Sequence, residues 1–280
     1  MFERPNTPER KEEDPAIARM KLFFENQFRK VDIIGKDNLE NIPPGKKVIV
    51  VTTHLSHRDL PLAISMLGNE FDSVGWGEAS THERFSENPG GYLGRKIVGK
   101  EHSFSVSTNR EGKGGSEQGA FNPEDFEPMK EALDDGKTIF MAAYYKGTED
   151  EQLPDRGGYG AVLLSQSPDT ILLPVAIDIK DQERAGTKPG GVDAILQRPE
   201  ADISIGEPFD MEKIPGAERI NELMALRKER KLSANEVKEF SSLSKELRAR
   251  SDEIMEHLAQ LLPEERRGVW AEKSENTPEQ

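Results

Sequence analysis

Short apolar runs and helical stripes alternate along most of the chain. Val48 to Val51 (VIVV), Thr138 to Ala142 (TIFMA) and Ile171 to Ile179 (ILLPVAIDI) are apolar runs too short for helices, and each predicts a buried strand. Val31 to Ile34, Val74 to Gly77, Phe104 to Val106 and the alternating Asp202 to Ile205 predict further strands. Ile17, Met20, Phe24 and Phe28 recur at helical spacing behind Asp14-Pro15, which reads as an N-cap followed by proline in the first turn. Leu60 to Leu67, Phe126 to Asp134 and a segment starting at Gly158 predict more helices, and from Met211 the pattern stays helical to about Leu262. Strands interleaved with helices predict an α/β fold: a mixed, largely parallel sheet flanked by helices, with a C-terminal helical annex. The expected organisation is a disordered N-terminus over 1–13, an α/β domain with its N-terminal helix over 14–210, the annex over 211–271 and a tail over 272–280.

Composition narrows the function classes. With 280 residues and 34% hydrophobic residues, the chain can bury a large core. It has no cysteine, which excludes disulfides, thiolate zinc sites and a cysteine nucleophile. No apolar run reaches the roughly 18–20 residues that span a bilayer, and the charged start MFERPNTPERKEEDP has no signal core. The expected location is cytoplasmic, with a peripheral place at the inner membrane face left open. The net charge of −14 argues against a nucleic-acid partner. The stripe from Ile17 to Phe28, flanked by Arg19, Lys21, Arg29 and Lys30, either packs on the main domain or lies on a membrane.

Candidate chemistry concentrates in Val50 to Pro61, VVTTHLSHRDLP, at the C-terminal end of a predicted strand, where active sites of open α/β sheets gather. His54 and Asp59 could be a general base and the carboxylate that orients it. Alternatively His54, His57 and Asp59 could ligate a metal. They partly match the metallo-β-lactamase pattern H-x-H-x-D-H, but the second histidine falls one position late and Leu60 replaces the last one. A third reading is a pair of surface histidines with Ser56 capping the turn and His57 and Arg58 as filler. No G-x-S-x-G nucleophile motif occurs, so in the base reading the attacking oxygen belongs to the substrate.

The segment T-H-L-S-H-R-D resembles the first motif of the glycerolipid acyltransferases, N-H-x-S-x-x-D, at His54, Ser56 and Asp59, with Thr53 in place of the asparagine. Further motifs follow in that family's order. FSVSTNR supplies a strand ending in Arg110. TIFMAAYYKGTED keeps Gly147 and Thr148 of the family's F-P-E-G-T-R, with Tyr145 for the proline, Lys146 for the glutamate and Glu149 for the arginine. ILLPVAI carries the proline-containing strand at Pro174. ISIGEPF and IMEHLAQLLPEERRGVWA resemble common family endings, so the resemblance runs over roughly 30–271.

The resemblance implies an enzyme that moves a fatty acyl group from acyl-CoA or acyl-carrier protein to a hydroxyl of a (lyso)glycerophospholipid or related acceptor, with no cofactor and no metal. It implies His54 as general base, Asp59 as its orienter, and Arg110, Lys146, Gly147 and Thr148 as binding residues for the acceptor's phosphate. Arg156 is a candidate for the charge lost from the third motif. Backbone amides of the strand-to-helix turn are the candidate oxyanion donors. Lys146 in place of the glutamate predicts an acceptor other than glycerol phosphate, and Arg95, Lys96 and Lys100 form a candidate patch for an acidic carrier protein. The competing functions are a non-catalytic lipid-binding protein on the same fold and a metal-dependent hydrolase.

Overall fold

A computed structural model of the chain describes residues 14–56, 58–80, 103–107, 126–144, 151–180 and 198–274. The described strands form one sheet: β1 (Lys30–Ile34), β2 (Lys47–Thr52), β3 (Val74–Ser80), β4 (Ser103–Ser107), β5 (Thr138–Ala142), β6 (Thr170–Ile179) and β7 (Glu200–Ile205). Their order is β1-β7-β6-β2-β5-β3-β4. Only β6 and β7 pair antiparallel; every other neighbouring pair is parallel. The fold is the mixed, largely parallel α/β sheet that the alternation of patterns predicts, and each predicted strand is present, several a residue or more longer.

The central strands are apolar on both sides because both sides are covered. Val48 and Val50 of β2 and Phe140 of β5 face a core shared with α1 (Pro15–Glu25) and α2 (Asp59–Leu67). Ile49, Val51, Ile139 and Met141 face a second core with α3 (Glu127–Asp134), α4 (Gly160–Ser165), α5 (Ala217–Glu229) and α6 (Ala234–Gln260). Asp14 caps α1 as expected, its Oδ1 accepting from the Ala16 amide at 2.8 Å. Ile17, Met20 and Phe28 are buried with Leu62, Ala63 and Leu67 of α2, so the stripe packs on the domain. The two elements approach so closely that a Cβ on Gly68 would come within 2.8 Å of Ile17 Cδ1.

The long C-terminal helical pattern is corrected. Met211 to Pro215 is not helical, Gly216 turns the chain at φ 75°, and the stretch expected to be helical from Met211 to about Leu262 consists of α5 and α6 with a break between them. The break has a chemical cause. Ser233 and Glu236 form a reciprocal capping box at the start of α6, and Arg230, extended at the end of α5, forks onto Glu236 at 2.7 and 2.9 Å. Hydrophobic periodicity runs through such a break, because the apolar stripe of each helix still faces the same core. The helix expected from Gly158 begins at Gly160. Leu243, Leu247, Ile254, Met255 and Leu258 of α6 belong to the second core.

Beyond α6 the chain returns to the sheet. Trp270 is buried and its Nε1 donates to the Pro154 carbonyl at 2.8 Å, while the Leu153 amide donates to the Arg266 carbonyl at 2.8 Å. The Arg266 guanidinium binds the carboxylates of Glu151 and, at 3.3 Å, Asp178 near the end of β6. The C-terminal segment thereby holds the chain that follows β5 against the end of β6.

Candidate active site

The connections diverge around β2 and β5. The chain leaving β2 passes through α2 on one face of the sheet; the chain leaving β5 passes through α4 on the other. The two strands are adjacent and in register from Ile49 opposite Ile139 to Thr52 opposite Ala142. Loops that leave neighbouring parallel strands for opposite faces open a crevice at their C-terminal ends, the usual ligand position in such sheets. His54 follows β2 at that edge, and Tyr144 follows β5.

The turn is built by side chains that take over where the ladder stops. The Thr53 amide still donates to the Val175 carbonyl at 3.2 Å, but the Thr53 hydroxyl accepts the Ile177 amide at 2.9 Å, ending regular pairing with β6. On the other side the Ala143 amide donates to the Thr52 carbonyl at 2.8 Å. The His54 amide donates to the Tyr144 hydroxyl at 2.8 Å, and the two rings stand 6.3 Å apart and tilted. Asp59, the first residue of α2, is fully buried, and its Oδ2 accepts from the amides of Leu55 (2.7 Å) and Ser56 (3.1 Å). The Ser56 hydroxyl accepts from the Arg58 amide at 3.2 Å. A carboxylate in the first turn also suits the positive end of the α2 dipole.

The electrostatics of this pair of strands are unusual. Burial pushes the Asp59 carboxyl well above the usual carboxylate range; the Ser56 and Leu55 amides pull the other way, and the nearby Asp178 adds to the rise. The Tyr144 phenol is pushed up by burial and then by Asp59. Asp59 Oδ1 is buried with no donor in hydrogen-bonding geometry, the Thr53 hydroxyl acting on the carboxyl only weakly, so Asp59 spends one oxygen on the turn and leaves the other without a well-formed bond. The half-buried His54 imidazole is not one of its partners in this structure.

His54 and Asp59 are thus brought together in one turn. Arg156 is exposed, its Nε 3.7 Å from Asp155. Arg110, Lys146, Gly147 and Thr148 lie outside the described residues, as do His57, Arg95, Lys96 and Lys100. Among the described residues no cluster of three histidine, aspartate or glutamate side chains is arranged to hold a metal ion. The expected oxyanion donors are corrected. Among the described residues, the amides of Leu55, Ser56, Arg58 and Asp59 donate within the turn, the last to the Ser56 carbonyl at 3.1 Å, and the His54 amide donates to Tyr144, so none of these five can bind an oxyanion while the turn is intact.

Sequence reasoning missed Tyr144. The family pattern has phenylalanine at that place, and a hydroxyl there is the signal that could have been read: a buried phenol needs a hydrogen-bond partner. Replacing Tyr144 by Phe leaves the His54 amide without its acceptor. The expected loss is about 1–3 kcal/mol of stability, the cost of one unsatisfied buried group; urea unfolding indistinguishable from wild type would show the amide finds another partner.

No family model matches the chain, and no curated protein matches it. Among solved structures, the 1-acyl-sn-glycerophosphate (LPA) acyltransferase PlsC of Thermotoga maritima is similar. The two share 16% identity and a TM-score of 0.46, over 75% of this chain and 74% of that one. So loose an overlap transfers neither a reaction nor a residue's role. Among the described residues, no helix is long and apolar enough to cross a membrane.

Proposed function

We propose that the chain is an acyltransferase that moves an acyl group from a thioester to the hydroxyl of a lipid or phosphorylated acceptor, with His54 as general base and Asp59 as its orienting carboxyl. The observation that carries this reading is the division of labour at Asp59. One oxygen fixes the turn that bears His54, and the other is buried, without a well-formed bond and within the same turn. A buried carboxyl oxygen without a well-formed bond calls for a partner, and the imidazole of the same turn supplies one.

The chemistry is an addition and elimination. The neutral imidazole takes the proton of the acceptor hydroxyl as its oxygen bonds to the thioester carbonyl. The C–S bond then breaks, and the thiolate leaves with the proton returned by the imidazolium. Asp59 Oδ1 is the site for the imidazole's other N–H, a bond that forms as positive charge develops on the ring. Oxyanion stabilisation falls to donors other than the amides of His54, Leu55, Ser56, Arg58 and Asp59. Arg110, Lys146, Gly147 and Thr148 are assigned to the acceptor by the motif resemblance alone, with acyl-CoA or acyl-carrier protein as donor and a peripheral membrane position as the setting.

Thiol release from long-chain acyl-CoA or acyl-carrier protein, measured with a panel of glycerol phosphate, lysophosphatidate, other lysophospholipids and hydroxylated lipids, tests the reading. Release that depends on one acceptor supports it and names the substrate. Binding of the donor with no release under any combination would instead make the chain a lipid-binding protein.

A further inference from the structure

Arg58 sits between His54 and Asp59 in sequence and is only 8% exposed. Its main chain is fully used: its amide donates to the Ser56 hydroxyl at 3.2 Å and its carbonyl accepts from Leu62 at 2.9 Å. Its guanidinium is not. Among the described residues no carboxylate lies within ion-pair distance of it and no oxygen accepts from it; burial alone acts on its charge, holding it below its ordinary value. Asp59, its immediate neighbour, turns its carboxyl to the Leu55 and Ser56 amides instead.

The contrast within the chain is instructive. Arg266 is bound by Glu151 and Asp178, and Arg250 by Glu212 and Glu253. Acid is plentiful, with 52 aspartates and glutamates against 38 lysines and arginines, yet among the described residues none is placed at Arg58. Most of the Arg58 side chain is buried while its guanidinium keeps solvent contact and has no counter-ion among the described residues, so the charge is partly desolvated and open to an anion from outside the chain. Its position says where. Leu62, one helical turn on, is buried against the sheet, so Arg58 occupies the sheet-facing side of α2 at its first end, beside the crevice.

We propose that Arg58 is the receptor of a phosphate group, free or esterified, that binds at the start of α2 next to His54. The planar guanidinium fork matches two phosphate oxygens and requires no rearrangement of the turn. The assignment leans on the acyl-transfer reading only for the purpose of the phosphate, which is to hold an acceptor with its hydroxyl near the imidazole.

The test is thermal unfolding of the full chain in inorganic phosphate, against chloride and acetate at matched ionic strength, for wild type, Arg58→Met and Arg58→Lys. Phosphate is expected to raise the wild-type Tm beyond chloride and acetate. Its apparent affinity should fall about tenfold or more in Arg58→Met, the loss of a charge-assisted bidentate pair, and by less in Arg58→Lys. Arg58→Met should also be at least as stable as wild type in phosphate-free buffer, since it removes a partly desolvated charge with no counter-ion. Glycerol 3-phosphate against glycerol, and phosphatidate vesicles against phosphatidylcholine vesicles, then separate a soluble phosphate ester from a lipid headgroup. An equal phosphate response in all three proteins, no wild-type response beyond that to chloride, or an equal response to acetate overturns the proposal. Should Arg58→Met fail to fold, Arg58→Lys carries the comparison. Phosphate binding needs no turnover, so a chain that binds phosphate through Arg58 but releases no thiol fails the acyltransferase reading and not this one.

Discussion

His54→Ala is expected to lower acceptor-dependent thiol release by roughly 10²-fold or more, the contribution of a positioned general base, with no comparable change in stability. The stability half follows from the structure. His54 is held through its backbone amide, which an alanine keeps, and its half-buried ring is no part of either core cluster. The rate half follows from the mechanism, in which no other described group in the turn can take a proton from a substrate hydroxyl: Asp59 is fully buried, out of a substrate's reach, and the Tyr144 phenol is held protonated. A fall in kcat with KM for the acceptor nearly unchanged is the signature of a group acting in the transition state. A rise in KM alone would make His54 a binding residue and leave the base unassigned.

The fold was largely legible in the sequence, and the site only in part. The strands could be read because a doubly covered parallel sheet demands unbroken apolar segments such as VIVV and ILLPVAIDI, and few other structures do. The break between α5 and α6 could not be read from periodicity, since it depends on one capping box and one arginine fork. At the site, H-x-x-x-x-D marked the turn. It did not reveal that Asp59 would use the amides around His54 as its ligands, because that bond pattern exists only once the chain has turned. The same geometry removed those amides as oxyanion donors. Arg58 read as filler because a lone arginine in a sequence carries no sign of being buried or unpaired.

Asp59 should separate architecture from catalysis when two substitutions are compared. Asp59→Ala removes the acceptor for the Leu55 and Ser56 amides at once, in a turn whose Leu55 is buried. At about 1–3 kcal/mol for each unsatisfied donor, the expected loss is roughly 2–6 kcal/mol, a large share of the stability of a typical domain. Asp59→Asn keeps a carbonyl oxygen in the same place and should retain most of that stability, but it loses the ionisable group.

The pH dependence fixes the sign. Burial raises the carboxyl in the folded state above its ordinary value of 3.8. Below that value both states are protonated. As pH climbs, the unfolded carboxyl ionises first and draws the equilibrium toward unfolding, so this contribution is fully present below 3.8 and is lost as pH rises through the higher folded value. Urea unfolding at stepped pH should therefore show Asp59→Asn gaining on wild type across that window and running parallel to it above. The opposite slope, wild type gaining with pH, would mean that the two amides outweigh burial and keep Asp59 ionised. Activity supplies the remaining discrimination. If Oδ1 orients the imidazole and answers its charge, Asp59→Asn should be folded yet slower by roughly 10²-fold or more; a folded, fully active Asp59→Asn would reduce Asp59 to the carpentry of the turn and leave His54 to act alone.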